Sequence, residues 1–391
     1  MNEADAAARL AERSDRTRSF MLARDLRGWD PYDALLSPLF KLPVLRSRRL
    51  PRFAAQQIVL RSPINLRPLL RVPEQCNPVT IGLYVQGIAD LTSAGKLDRW
   101  AASEEVASWV EVLAGMARPG HRGTCWGYPF PWEGRRHRMP EGLPTVVATG
   151  MVVNSLHRVW KVLNDERARR LVIQSAGFVL DELPRAAGDD RAWCWAYSTV
   201  DRQAVLNATM KGTRLLAQAI DAGLEDPRAE PAAAASARFV AEHQQPDGGW
   251  PYAIDDLRDW RDHHHTGYVL ECFDTYRELS ADRSFDDLIA RGWRHYRQAF
   301  FDEHALPRYY DSRDGPLDAT AAGQALITLS AFNETTFGLE VAEATATALG
   351  RPDGSFAYRR RRGWLASTHF MRWSTAWMFA GMTRLLAALG R

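Results

Sequence analysis

The sequence lacks several features that would assign the protein to a class at once. Its 391 residues include four cysteines, none spaced as a CxxC pair. This argues against a disulfide framework or a cysteine-ligated zinc site and favours reduced thiols in a core. No apolar run approaches the roughly 18 residues that a membrane-spanning helix needs. Residues 1–30 alternate Arg with Asp and Glu where a secretory signal would be apolar. We therefore expect a soluble, cytoplasmic protein without a membrane span.

An excess of charge of one sign is also lacking. The chain has 50 basic and 47 acidic residues, so its net charge is +3. Binding to nucleic acid needs a concentrated basic field, which this balance does not provide, so no nucleic-acid partner is expected. Aromatic residues, in contrast, are abundant, with 14 Trp, 15 Phe and 11 Tyr. So much tryptophan suggests that aromatic surface serves for more than a core.

Short aromatic blocks recur along the chain. They lie at residues 125–132, 193–198, 248–254, 306–312 and 354–360. The blocks are separated by roughly 50 to 65 residues, which is in the range of repeated supersecondary units. Each is rich in Gly, Pro and other turn formers and is therefore predicted to be a loop.

Between the blocks, helical stretches alternate between two kinds. Apolar stretches are predicted at 77–94, 144–163, 203–222, 264–280, 318–333 and 368–389, and amphipathic ones at 103–117, 166–183, 232–244, 285–301 and 340–349. Apolar helices are expected inside and one-faced helices outside. The order therefore predicts an all-α fold, an (α/α)6 toroid of two concentric rings. An open α-solenoid or two helical domains are the alternatives.

The order of elements also predicts where the aromatic blocks lie. Each block connects an outer helix to the next inner helix, so all five should gather at one end of the barrel, which we call the aromatic pole. Residues 76–391 are assigned to the toroid domain. Residues 1–75 are assigned to an N-terminal arm, helical and extended, that packs on the barrel and is a candidate source of the sixth outer helix.

Several segments resemble known toroid proteins. Residues 244–250, QQPDGGW, resemble the glutamine–tryptophan repeat of isoprenoid cyclases and protein prenyltransferases. Residues 61–70, 76–78, 125–132, 143–150, 250–271 and 308–329 resemble a bacterial and archaeal toroid family associated with polysaccharide biosynthesis, often labelled six-hairpin-glycosidase-like or prenyltransferase-like. The resemblance runs from about residue 28 to about residue 331. It implies the toroid fold, a glycan substrate and a context with other polysaccharide-synthesis enzymes as partners.

The segment 255–271 carries the densest set of ionisable groups. His264, Tyr268 and Glu271 lie at i, i+4 and i+7, on one face of the predicted helix. A helix N-terminus disfavours imidazolium and so favours the neutral His that a general base requires. With His265, Asp262 and Asp259 they are our candidate catalytic residues for proton abstraction and delivery at a sugar ring. The structural alternative is that Asp262 caps the helix, one His binds a neighbouring loop and Glu271 pairs with an Arg.

A metal site and an isoprenoid site are the next possibilities. Three consecutive His residues cannot all face one ion from a regular helix, and no other His or Cys has ligand spacing to them. We therefore predict no metal and no cofactor. Residues 255–259, DDLRD, match the DDxxD magnesium motif of terpene synthases, but the DxDD and zinc patterns of related enzymes are missing.

Aromatic and basic residues of the loops are the candidate substrate-binding groups. The set comprises Trp126, Tyr128, Trp132, Trp193, Trp195, Trp250, Tyr252, Trp260, Tyr309 and Tyr310, with Arg261 and Arg308 for carboxylates. Rings of this kind stack on sugars, and Arg binds carboxylates by paired hydrogen bonds. The alternative is that the rings plug the barrel mouth as core.

Three classes of function remain open at the level of the sequence. The first is a carbohydrate-active enzyme for an acidic polysaccharide or oligosaccharide. Hydrolysis by two carboxylates and epimerase or lyase chemistry at a uronic acid both fit, and His and Tyr beside Arg favour the latter slightly. The second class is an isoprenoid cyclase or prenyltransferase-like enzyme. The third is a non-catalytic glycan-binding assembly factor.

Overall fold

The computed structural model describes residues 2–134, 138–254, 258–362, 364–366 and 368–390. In these residues the helices are α1 Glu3–Leu22, α2 Pro43–Ser47, α3 Arg49–Arg61, α4 Pro78–Ser93, α5 Arg99–Met116, α6 Val146–Leu163, α7 Glu166–Gly177, α8 Leu206–Asp221, α9 Ala229–Glu242, α10 His263–Ser280, α11 Asp286–Ala299, α12 Ala319–Ala331, α13 Thr335–Leu349 and α14 Trp377–Leu389. The strands are β1 Arg27–Gly28, β2 Gln75–Cys76, β3 Trp132–Glu133, β4 Arg138–Met139, β5 Arg185–Gly188, β6 Trp193–Trp195, β7 Leu317–Asp318, β8 Arg359–Arg361 and β9 Trp364–Ala366.

Six helices form a closed inner ring. In chain order α4, α6, α8, α10, α12 and α14 each pack against the next, and α14 packs against α4. These helices are buried on nearly every side; in α12, every residue from Ala319 to Ser330 is buried. Apolar or small side chains predominate on all sides of helices such as α4 and α12 and explain this position, because only a ring interior covers the whole helix. α8 also buries Lys211 and Arg214. The predicted all-α, (α/α)6 toroid is thereby confirmed.

The outer ring consists of helices with a single buried face. In α7 the buried positions Ala168, Leu171, Val172 and Ser175 follow helical spacing, while the remaining face carries charged residues. α5, α7, α9, α11 and α13 each pack on the inner helix that precedes them in the chain.

The sixth outer position is occupied by the N-terminal helix. α1 packs against both α13 and α14, and the Thr17 hydroxyl donates a hydrogen bond to the Gly354 carbonyl at 2.9 Å. The ring is thus closed by elements from the two ends of the chain. The division into an arm of residues 1–75 and a toroid of residues 76–391 stays a prediction.

The inner helices all begin at the aromatic pole. Four of them start with a side-chain cap, in which Asn77, Thr145, Asp262 or Asp318 accepts a hydrogen bond from a main-chain N–H of the first turn. Isolated bridges join successive loops there, pairing residues 145 with 198, 205 with 253, and 262 with 310. The loops therefore form one connected layer above the helix ends.

The rest of the N-terminal region crosses this layer. β1 pairs with β2, and α2 and α3 lie between them in the chain. Buried ion pairs fix the crossing segment: Asp30 with Arg372, Asp33 with Arg67 at 2.6 Å, and Arg52 with Glu133 at 2.7 Å. Burial raises the pKa of Asp33 to about 7, although the adjacent Arg67 opposes the shift.

Two expectations from composition can be compared with the structure. The thiols of Cys125, Cys194 and Cys272 are free and buried, and that of Cys76 is free and half-buried. Among the described residues, no helix has both the length and the apolar character that crossing a membrane requires.

Candidate functional site

A cavity of about 280 Å³ opens at the aromatic pole. We call it the inner cavity. Its walls come from the first turns of the inner helices, from the aromatic loops and from the crossing N-terminal segment. Ten of the candidate residues line it: Tyr128, Trp132, Tyr252, Trp260, Asp262, His264, His265, Tyr268, Tyr309 and Tyr310.

The centre of the site is an aspartate with two histidines. Asp262 caps α10 by accepting the main-chain N–H of His265 at 3.0 Å. Its Oδ2 lies 2.7 Å from Nδ1 of His265 and also accepts the indole N–H of Trp260 at 3.2 Å. The carboxylate therefore orients the His265 ring and fixes the proton on Nδ1, which leaves Nε2 as the basic nitrogen.

His264 lies beside this pair with a different environment. The ring centroids of His264 and His265 are 4.0 Å apart. Nδ1 of His264 lies 3.2 Å from Oδ1 of Asp262, but neither ring nitrogen makes a hydrogen bond with the described residues. Burial lowers the pKa of His264 to about 3, so its imidazole is neutral at pH 7. The predicted neutral His is present, and burial is the largest cause of the shift.

The protonation of the neighbouring groups follows from their surroundings. Burial opposes ionisation of Asp262, but the two imidazoles and the hydrogen bonds from His265 outweigh it and hold the pKa of this carboxyl below its usual range. Burial raises the pKa of Tyr268 and Tyr309 well above the ordinary value. At neutral pH the site thus contains a carboxylate, a neutral imidazole and protonated phenols.

His263, the first of the three consecutive histidines, faces away from the cavity. Its ring packs against Tyr296 at a centroid distance of 4.9 Å and against Phe300 at 5.2 Å. Its Nδ1 lies 3.0 Å from the carbonyl oxygen of Arg308. This is the loop contact expected from the structural alternative, so His263 is a packing residue.

A possible cation-binding group also emerges. One ligand atom each from Asp262, His264 and His265 can be chosen so that all lie within 4.8 Å of one another. The spacing argument against a metal considered only the histidines and overlooked the capping aspartate as a third ligand. Both carboxylate oxygens of Asp262 already accept hydrogen bonds, so a cation here would have to displace the contact with His265.

Two predicted catalytic residues lie away from the inner cavity. Glu271 is seven residues from His264, so it lies about 10 Å further along the axis of α10 although it is on a similar face. It pairs with Nη1 of Arg214 at 2.9 Å and lines a second cavity, of about 340 Å³, at the opposite end of the barrel. Asp259 is exposed and is not among the lining residues. Asp255 and Asp256 lie outside the described residues.

Four predicted tryptophans also lie outside the cavity wall. The indole N–H groups of Trp126 and Trp250 donate to the carbonyls of Leu113 and Val240 at 2.8 and 3.0 Å, which fixes both rings between inner and outer helices. Trp193 and Trp195 are buried in β6 and pack edge to face. These four rings belong to the core, as the alternative interpretation of the aromatic blocks proposed.

The two predicted substrate-binding arginines also point elsewhere. Nη1 of Arg261 pairs with Asp247 at 2.7 Å, and its Nε pairs with Asp311. Arg308 is exposed and is not in the wall of the inner cavity. Sequence spacing located these residues in the correct loops but not the direction of their side chains.

Other lining residues escaped the sequence analysis or were left out of the candidate set. These are Tyr32, Phe130, Val147, Met151, Tyr197, Asn207, Arg372 and Trp373. Several lie in the first turns of inner helices, or in the π-helical turn Met371–Ala376 that leads into α14. These turns occupy the same position in their repeats as the start of α10 does in its own. That equivalence could have identified them from the sequence.

Arg372 is a lining residue that contacts both charged and aromatic groups. Its Nε and Nη2 donate to the two carboxylate oxygens of Asp30 at 2.6 and 2.9 Å. Its guanidinium lies 4.8 Å from the ring centroid of Tyr128 and 4.6 Å from that of Trp373. Its positive charge is therefore compensated by Asp30.

The inner cavity continues into an outer cavity of about 330 Å³. The two share the side chains of Tyr32, Trp132, Tyr197, Tyr252 and Trp260. The outer cavity is bounded in addition by Phe53, Gln56, Gln57 and Arg61 of α3 and by Gln203 and Arg258. The site is thus a cleft with two compartments, bounded on one side by α3.

Comparison with known proteins identifies the fold of the chain but not its family. No protein-family model matches the sequence, and no curated protein is similar to it. Among solved structures, cellobiose 2-epimerase from Bacillus thermoamylovorans B4167 is similar with a TM-score of 0.60 at 10% identity, over 80% of this chain and 87% of that one. The GH76 α-mannanase BT2949 of Bacteroides thetaiotaomicron gives 0.59 at 11%, over 79% and 85%. The unsaturated glucuronyl hydrolase of Bacillus sp. GL1 gives 0.54 at 14%, over 79% and 84%. The chain therefore shares its (α/α)6 toroid with structures of carbohydrate enzymes.

Proposed function

We propose that the protein is a carbohydrate-active enzyme of the epimerase or isomerase type, which moves a proton at a carbon next to a sugar carbonyl. The observation that carries the proposal is the pair His264 and His265 in an aromatic cavity, with the Asp262 carboxylate between them and hydrogen-bonded to His265. The shared toroid with a cellobiose 2-epimerase supports the same class by analogy of fold.

The cavity walls suit a sugar. Flat aromatic faces stack on the C–H face of a pyranose or of an opened sugar chain, and phenol hydroxyls reach the sugar hydroxyls. Tyr252 and Trp260 stack on each other at a centroid distance of 5.2 Å at the junction of the two cavities. The two connected compartments provide for an oligosaccharide, with the reacting sugar in the inner cavity.

The two histidines take different roles in the proposed reaction. Nε2 of His265 removes the proton from the carbon, and Asp262 stabilises the imidazolium that forms. The C–H electron pair forms a carbon–carbon double bond, and the carbonyl electrons move to oxygen. Neutral His264 donates an N–H hydrogen bond to that developing oxyanion, a role that a depressed imidazole pKa suits. Return of a proton to the same carbon from the opposite face gives an epimer. Return to the neighbouring carbon, with the hydroxyl proton passing to the former carbonyl oxygen, gives an isomer.

Hydrolysis by two carboxylates has less support. Asp262 is the one carboxylate among the described residues of the inner cavity, and it is committed to His265 and Trp260. In the outer cavity Oε1 of Glu133 is bound by Arg52 and Arg138. A retaining or inverting mechanism requires a second carboxyl group across the scissile bond.

The charges of the inner cavity favour a neutral reacting sugar over the acidic one expected from the sequence. The lining cation Arg372 is paired with Asp30 through two hydrogen bonds. Neutralisation of a uronate in this compartment would have to break that pair. A role in polysaccharide biosynthesis remains a proposal that rests on the resemblance. The three similar structures are those of carbohydrate enzymes, and the isoprenoid alternative has no such support.

Solvent exchange tests the proposal directly. The protein is incubated in deuterated water with reducing monosaccharides and disaccharides, and NMR follows deuterium at C2 and the appearance of an epimer or ketose. His265→Gln is expected to lower the exchange rate about 10²- to 10⁴-fold. His304→Gln, a change at an exposed histidine that is not among the lining residues, is the matched control.

Three outcomes would contradict the assignment. Exchange that survives His265→Gln would exclude that residue as the base. A new reducing end without deuterium on carbon would identify a hydrolase. Binding of sugars without any exchange would identify a glycan-binding protein.

A further inference from the structure

A segment of 40 residues near the N-terminus contains no acidic residue. Residues 34–73, which we call the basic segment, hold no Asp or Glu and eight Lys or Arg. The average composition of the chain would place about five acidic residues in such a length. Arg52 and Arg67 are buried and pair with Glu133 and Asp33. The other six, Lys41, Arg46, Arg48, Arg49, Arg61 and Arg71, are exposed.

The same segment exposes apolar side chains to an unusual degree. Of 14 large apolar residues exposed in the described part of the chain, seven lie in it: Leu39, Leu42, Val44, Leu50, Ile58, Ile64 and Leu69. Val44 is 74% exposed, and Leu50 and Leu69 are 80% exposed. Scattered exposed apolar residues are normal, but this concentration within one short segment indicates a contact surface.

Helix α3 shows that this exposure is built into the pattern of the sequence. Leu50, Ala54 and Ile58 follow the i, i+4, i+8 spacing of one helix face, and all three are exposed. The opposite face buries Arg52 and Gln56, and both contact Glu133. An outer helix normally has its polar face outward. α3 has the inverse arrangement, so its outward face is suited to a partner that is apolar.

The surface continues onto the β8–β9 hairpin. Trp364 and Ile64 line one small cavity together with Arg361. Trp364 is 37% exposed, and Leu365 beside it is 40% exposed. Trp side chains favour the boundary between water and lipid, where the ring is buried and the N–H stays hydrated.

We propose that the basic segment binds the surface of an anionic lipid bilayer and holds the protein there as a peripheral membrane protein. The aliphatic side chains of α3 and its flanks would enter the boundary between headgroups and acyl chains, while Lys and Arg meet lipid phosphates. This attachment does not require a membrane-spanning helix, and none is found among the described residues.

Charge and shape favour lipid over other occupants. A second copy in a two-fold contact would bring two segments of six exposed cations against each other, and like charges repel. An acidic glycan would satisfy the cations but would leave Leu50, Ile58 and Leu69 without an apolar partner. An anionic bilayer presents phosphate groups and apolar acyl chains within a few ångströms of depth. It can therefore bind both the cations and the apolar side chains of the basic segment.

Vesicle co-sedimentation of the full chain tests this proposal. The vesicles are phosphatidylcholine alone, or phosphatidylcholine with about one-third phosphatidylglycerol. We expect binding to the anionic vesicles at low ionic strength, weaker binding in high salt because the charges are screened, and little binding to phosphatidylcholine alone. The combined change Lys41→Gln, Arg46→Gln and Arg48→Gln should lower the partition coefficient about a hundredfold.

Matched variants separate the apolar contribution and the location of the surface. Val44→Ser with Leu50→Ser should lower partitioning by at least about tenfold, whereas Trp100→Ser, at a residue 70% exposed elsewhere, should not. Arg99→Gln, Arg170→Gln and Arg294→Gln remove the same charge from other exposed positions and should have a much smaller effect. Circular dichroism and urea unfolding confirm that each variant is folded.

The proposal is overturned if the protein fails to sediment with anionic vesicles, or if the control triple variant loses as much binding as the basic-segment triple. It is also overturned if analytical ultracentrifugation shows a dimer that Val44→Ser with Leu50→Ser dissociates. These outcomes do not depend on the proposed enzymatic reaction, because vesicle binding is measured without substrate.

Discussion

The pair of Asp30 and Arg372 links the N-terminal segment to the wall of the inner cavity, and its removal should be costly. Asp30 is 5% exposed and Arg372 is 3% exposed. Two hydrogen bonds, of 2.6 and 2.9 Å, join them. Loss of one partner leaves the other charge buried without compensation, which costs about 3–5 kcal/mol in comparable sites. We therefore expect Arg372→Met and Asp30→Asn each to lower the free energy of unfolding by about that amount.

The double variant distinguishes a charge effect from a packing effect. With both charges removed, neither is left uncompensated, so the double variant should be less destabilised than the sum of the single variants by about 2 kcal/mol or more. Unfolding in urea, followed by circular dichroism and tryptophan fluorescence, gives each free energy by linear extrapolation. Additivity within about 0.5 kcal/mol would refute the reasoning, because independent sites add to that accuracy.

Three further predictions concern backbone fit, pH and catalysis. Gly127→Ala should destabilise the fold by about 1–3 kcal/mol, because the new Cβ would lie 2.2 Å from a main-chain oxygen. Gly115→Ala is the control: its Cβ would meet nothing within 4 Å, and it should stabilise the fold by up to about 1 kcal/mol. Equal effects in urea unfolding would contradict this. Burial raises the pKa of Asp274 to about 6, so the folded state binds this proton more tightly than the unfolded state does. The wild type should therefore lose about 1–3 kcal/mol of stability as the pH rises from 4 to 6, and Asp274→Asn should not show this loss. Parallel pH–stability curves for the wild type and the variant would contradict the prediction. Asp262→Asn should slow deuterium exchange about 10- to 100-fold without weakening sugar binding, since it leaves His265 without its orienting carboxylate; an unchanged rate would remove Asp262 from the mechanism.

The fold was accessible from the sequence because its evidence is periodic. Apolar and amphipathic stretches alternate with loop blocks. Five of the six predicted inner helices lie within a few residues of the observed ones, as with 264–280 against α10 at His263–Ser280. The last inner helix differs most, since α14 begins at Trp377 after a π-helical turn and not at residue 368. A helical pattern in the sequence does not distinguish a wide turn from a regular one.

The candidate site was only partly accessible, for two physical reasons. A face pattern shows which side of a helix a residue is on but not its position along the axis. Glu271 was therefore grouped with His264, although it lies about halfway along α10, in the wall of the second cavity. The direction of a loop side chain depends on partners distant in sequence, as when the Trp126 indole donates to Leu113. Tyr32 and Arg372 were missed because they come from segments without an aromatic block.

The closure of the ring has a consequence for how the protein is made. Thr17 bonds to Gly354, and Asp30 bonds to Arg372, across 337 and 342 positions of sequence. Contacts between such distant residues form late, because a long loop must close first. On the ribosome, α1 can meet α5 early through Arg18 and Glu105, but it cannot pack against α13 and α14 until those helices have emerged, and the inner cavity lacks one wall until then. The apolar inner helices therefore stay incompletely covered during most of synthesis, which is the period when a chain of this topology is most prone to aggregate.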